Sequence, residues 1–201
     1  EGAAAADVVR FLDAAERARL PLPSEAARVH VDRALDCAKA DSWETFMEQV
    51  AHAQRIDPNV ALPEAFGRLL TARAGVLIHG VSLNECYDLI VDGARLGIRT
   101  DVSGDLFFLL GRKEPFALAI KRDPNDWALR LVDAQLNAAT AAKKSRRIQR
   151  TNLARLAREG AAAVLETPGV PYAPWGFALE IELWAAGDLG GMDAARAVAE
   201  G

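Results

Sequence analysis

The sequence predicts a mainly α fold with a small β element (α+β): a helical domain with one long helix in its C-terminal half and a short hairpin. Three observations predict it. Apolar residues recur at helical spacing through most of the first 97 positions, residues 125–159 run for 35 positions without Gly or Pro, and two short stretches after residue 97 alternate with period two.

The elements follow in order. Val8, Leu12 and Ala15 mark a first helix that ends at Pro21-Leu22-Pro23. Ser24 can cap a second, whose stripe is Ala27, Val31, Ala34, Leu35 and Ala38. Asp41 with Glu44 reads as a capping box for a third, with Phe46, Met47, Val50 and Ala51 inward, stopped at Asp57-Pro58-Asn59. A fourth runs from Pro63 toward Ile78, with Phe66, Leu69 and Leu70 facing the core. Ser82 and Glu85 cap a fifth, whose apolar face is Leu83, Cys86, Tyr87, Ile90, Val91 and Ala94 before Gly97.

Beyond Gly97 the period changes. Ile98 to Val102, a Ser103-Gly104 turn and Leu106 to Leu110 predict a hairpin, with helix the rival for 105–111; Phe116, Leu118 and Ile120 alternate as a strand does. The stretch 125–159 predicts one helix of roughly 50 Å at about 1.5 Å per residue, and a new cap at Thr151-Asn152 would shorten it. After Pro168, Pro171 and Pro174, the stretch from Phe177 to Trp184 alternates apolar and polar and predicts a half-buried strand; a short helix over 191–200 closes the chain.

Composition bounds the function classes. A chain of 201 residues, 51% apolar, can bury a full core, so residues 1–201 are expected to form one domain, with 1–124 and 125–201 as its natural subdivision. No run of about 18 apolar residues is present, which predicts a protein of the cytoplasm without a membrane span. A start at Glu1 without methionine fits the removal of an upstream segment. Cys37 and Cys86 are too few for a disulfide framework and lack metal-ligand spacing.

Charge is unevenly distributed along a chain of net charge −4. Residues 1–140 carry a balance of −5, residues 141–160 a balance of +6, and residues 168–201 a balance of −4. On a continuous helix Lys143, Lys144, Arg146, Arg147, Arg150, Arg155 and Arg158 would share one half of the circumference. Like charges at i, i+4 repel by a few tenths of a kcal/mol each, so something must offset them. Two readings follow: a surface for a nucleic-acid backbone or an acidic protein, or a face neutralised by the chain's own acidic segments.

Residues 82–111, SLNECYDLIVDGARLGIRTDVSGDLFFLLG, resemble the end of a winged-helix domain, with Leu96-Gly97 ending a recognition-type helix and a Gly-containing turn between strands. That resemblance implies DNA contact by the helix and by the turn at Val102 to Asp105. Against it stand a long connection, Gly75 to Val81, and Glu85, Asp88 and Asp92 on the helix facing phosphate with only Arg95. Residues 38–70 resemble part of a tetratricopeptide-type helical hairpin, without a second copy.

Signatures of chemistry are thin. His30, His52 and His79 belong to no metal motif; His30 and Cys37 share a face, and His79 with Cys86 would pair only if the fold bent back. No Walker loop, dinucleotide turn or nucleophile elbow appears, so binding is expected rather than catalysis, with no cofactor and no metal. Tyr172, Trp175, Phe177 and Trp184 gather four aromatic residues within thirteen positions and form a second candidate surface, for a protein partner or a second copy of the chain. The functional expectation is therefore DNA association through the basic face, with a protein-interaction or assembly module as the alternative and an enzyme third.

Overall fold

A computed structural model describes residues 10–11, 14–15, 24–79, 82–100 and 114–200. The helices among them are α1 (Glu25–Lys39), α2 (Trp43–Ile56), α3 (Glu64–His79), α4 (Leu83–Arg95), α5 (Glu114–Arg122), α6 (Trp127–Lys143), α7 (Arg147–Leu165) and α8 (Tyr172–Glu200). They belong to two compact units, Glu1–Phe66 and Gly67–Gly201.

In the first unit α1 and α2 form an antiparallel pair. The connection is short enough that Asp41 adopts a left-handed φ of 57°, a conformation Asp tolerates better than most side chains. This shifts the expected cap by one position, since Ser42 rather than Asp41 precedes the helix, and the Ser42 side chain makes no cap hydrogen bond. Ala27, Ala34 and Ala38 on α1 and Phe46, Val50 and Ala53 on α2 are all buried where the two helices pack together. Phe46 stacks edge-on with Phe66 at 5.0 Å, and His30 lies 2.9 Å from Gln49 inside the pair. The first predicted helix lies mostly outside the described residues.

The second unit is built around α6, α7 and α8. Pairs equidistant from each turn are in contact: Gly160 lies against Ala134 and Arg130, and Arg158 against Glu182. The three helices are therefore consecutive antiparallel neighbours. Alongside Leu131, Val132, Val164 and Ile181, their buried faces carry many small residues, Ala134 and Ala141 on α6, Ala154, Ala157 and Ala161 on α7, and Ala178 and Ala185 on α8, which let backbones approach closely. Helix α4 adds Cys86, Ile90 and Val91 to the same core, as its periodicity predicts. Ser82 accepts the Glu85 N–H at its start, and Gly97, at φ 69°, closes its end with Ile98 N–H returning to the Gly93 carbonyl at 2.8 Å.

Three expectations are overturned. No strand occurs among the described residues, so the small β element is not found and the fold there is all-helical. Phe177 to Trp184 is the first half of α8: its eight-residue alternation sits inside a longer stripe, Pro174, Ala178, Ile181, Ala185, that buries at helical spacing, and the longer pattern wins. Leu118 and Ile120 lie on α5, and the hairpin over 98–110 falls largely outside the described residues, as does the turn at 102–105; Ile98 to Thr100 is not a strand. The strand pair of the winged-helix reading lies with them outside the described residues, so that reading gains no support from the described ones.

The single long helix is also corrected. It stops at Lys143, passes through extended backbone at Lys144 and Arg146, and restarts at Arg147. Four cations within five positions oppose a continuous helix there, and folding back lets the apolar face of α7 bury against α6. The short final helix expected over 191–200 is a separate helical segment from residue 192, because Gly191 breaks α8 at φ 77°.

Candidate functional site

The seven cations of the predicted face divide among three locations. Lys143 ends α6, Lys144 and Arg146 lie in the connection, and the other four lie on α7. The break removes the first three from the helical phase that would have aligned them with the rest.

Two of the four cations on α7 pair with carboxylates of α8. Arg150 grips Asp188 with two donors, Nε to Oδ2 at 3.1 Å and Nη2 to Oδ1, and that carboxylate raises the guanidinium above its ordinary pKa. Arg158 Nε donates to Glu182 Oε1 at 2.8 Å; the Glu182 side chain is 9% exposed and its Oε2 has no hydrogen-bond partner. Arg155 stands 3.9 Å from Glu159 one turn on, both well exposed, a contact worth a few tenths of a kcal/mol. The signal for these partners was the −4 balance of residues 168–201; that Asp188 and Glu182 supply them was not legible, since 38 and 24 residues separate the pairs.

What remains is a compact corner. Arg146 and Arg147 are exposed and Lys144 half-exposed, and none belongs to an ion pair among the described residues. Arg146 is also the N-cap of α7, without a side-chain cap hydrogen bond, and the first turn holds no acidic residue. The free N–H groups of a helix start therefore face the same solvent as three cations.

The aromatic set divides as well. In a helix, Tyr172 and Trp175 lie within about 60° of each other while Phe177 and Trp184 lie more than 100° away from Tyr172. Tyr172 is 87% and Trp175 36% exposed, whereas Phe177 and Trp184 pack on the core, Phe177 under the Arg99 guanidinium at 5.4 Å. Only the first two offer a surface.

Neither a protein-family model, nor a curated protein, nor a solved structure matches the chain.

Of the sulfur and imidazole groups, Cys86 and His30 are held in the interior. Cys86 is fully buried, its Sγ donates to the Ala74 carbonyl, and burial pushes its thiol from 9.0 to about 11, away from the thiolate that nucleophilic chemistry needs. His30 is committed to Gln49 and stacks on His52 at 5.5 Å; no group of three or more metal-ligating side chains occurs among the described residues. Among those residues no helix is long and apolar enough to cross a membrane. An alkylation experiment checks the cysteine assignment: at pH 8 iodoacetamide should label half-exposed Cys37 while Cys86 reacts only after unfolding. Because the folded pKa lies above the unfolded one, this thiol's contribution to stability is complete below pH 9 and fades as pH rises through about 11. Equal labelling of both cysteines in the native protein would refute the assignment.

Proposed function

We propose that the chain is a binding protein that associates with nucleic acid through the corner between α6 and α7, and not through the whole basic stretch. One observation carries the proposal: Lys144, Arg146 and Arg147 cluster, without ion-pair partners among the described residues, at an uncapped helix N-terminus. Phosphate suits both components, the cations and the helix N–H groups. Such a surface reads backbone charge, not base sequence.

The number of participating cations sets the measurable consequence. About three neutralised phosphates on a duplex give a slope near −3 in log K against log salt, less than half of the roughly −6 that seven cations would give. Fluorescence anisotropy with a labelled 20-base-pair duplex across a salt series measures it. Replacing Lys144, Arg146 and Arg147 together with alanine should remove binding while the melting temperature stays put. Absence of binding at low salt, or a slope unchanged by the triple substitution, rules this function out.

A second reading rests on Tyr172 and Trp175, exposed one turn apart at the start of α8. Rigid aromatic side chains are favoured anchors for protein contacts, so a protein partner or a second copy of the chain is the alternative occupant. Light scattering over a concentration series, with Tyr172→Ala and Trp175→Ala as controls, separates self-association from monomeric behaviour.

A further inference from the structure

We propose that the cavity between α4, α5 and α6 binds a small zwitterion whose opposite charges are separated by a short apolar chain, an apolar dipeptide with free ends being the best-fitting class. The cavity measures about 510 Å³, within the range of small-molecule sites. Its lining includes Asp88 and Arg95 on one stripe of α4, Arg122 on α5, and an apolar wall of Val91, Leu118 and Leu129.

The charges on this lining are not equivalent. Arg95 is already committed, donating to Asp92 at 2.6 Å and to Asp126, the N-cap of α6. Asp88 and Arg122 face the same cavity, yet among the described residues neither belongs to an ion pair. Two opposite, unpaired charges that share a cavity without reaching each other match a ligand carrying the complementary pair.

Their placement gives the ligand's length. Asp88 lies two turns before Arg95 on α4, about 10 Å along the axis. Arg122 ends α5 four residues before Asp126, the residue Arg95 holds, and so belongs to the Arg95 end. Two extended residues span roughly 7 Å, and a charge-assisted contact of about 2.8 Å at each end brings the ligand to the same scale. Leu118, 49% exposed on α5, supplies apolar surface that a ligand side chain would cover.

Calorimetric titration of the full chain with leucyl-alanine, N-acetyl-leucyl-alanine and leucyl-alanine amide tests the assignment. The free dipeptide should bind at least tenfold more tightly than either blocked form. Asp88→Asn should lower affinity for the free dipeptide about tenfold while leaving the acetylated form unaffected, and Arg122→Gln should do the same with respect to the amide. Both side chains are exposed and, among the described residues, belong to no ion pair, so the variants should melt with the parent chain. No saturable heat at millimolar dipeptide, equal binding of free and blocked forms, or variants that bind as the parent does would each overturn the proposal.

Discussion

Gly67→Ala is expected to destabilise the second unit by about 3 kcal/mol or more, among the largest effects of any single methyl group in this chain. A Cβ on Gly67 would stand 2.2 Å from the Arg99 carbonyl oxygen and 3.4 Å from its carbon. Neither atom belongs to a side chain that can rotate away. The Arg99 backbone is held in turn: Ile98 just before it is tied to Gly93, and its own side chain pairs with Glu180. Relief therefore requires α3 and the chain after α4 to separate. Gly176 gives the control, since nothing lies within 4 Å of a Cβ there; within α8, alanine should stabilise by about 0.5–1 kcal/mol through its higher helix propensity. Urea unfolding of both variants decides the matter. If Gly67→Ala and Gly176→Ala shift the midpoint in the same direction, the close approach is not as described.

Arg158→Ala should cost about 2–3 kcal/mol of stability and leave nucleic-acid binding untouched. Removing the arginine strands the Glu182 carboxylate, buried and with one oxygen already unpartnered, in a seam of alanines. Breaking a fully buried pair costs about 3–5 kcal/mol. The Arg158 side chain is 45% exposed, so water reaches the site and brings the cost to the bottom of that range or just below it. The double replacement Arg158→Met with Glu182→Leu should recover most of the loss, because two apolar side chains leave no charge behind. The contrast with the corner is the informative part: Arg158 should affect the fold and not binding, whereas Lys144, Arg146 and Arg147 should affect binding and not the fold. An Arg158→Ala protein of unchanged stability that no longer binds the duplex would return the whole face to solvent and contradict the internal pairing.

The parts of this fold that the sequence made legible are those set by nearby residues. Ser82 with Glu85, and Gly97 after Leu96, mark both ends of α4, because a cap and a left-handed stop act over three or four positions. Ile56 ends α2 before Asp57-Pro58-Asn59 for the same kind of reason. What misled was pattern without context. The alternation from Phe177 to Trp184 is real, but eight residues cannot distinguish a strand from one stretch of a longer helix, and Ala185 and Ala186, which continue the helical stripe, lie just beyond it.

The concentration of seven cations in residues 141–160 and the compensating acidity of residues 168–201 were determined by the sequence alone. Which cation meets which carboxylate was decided only in three dimensions. The turn at Lys144 to Arg146 reverses α7 against α6, and the turn before Tyr172 brings α8 back along α7, so that Asp188 reaches Arg150 and Glu182 reaches Arg158. Coulomb attraction between distant residues becomes effective only when packing shortens the separation to a few ångströms and excludes water, and the linear order of residues does not encode that separation.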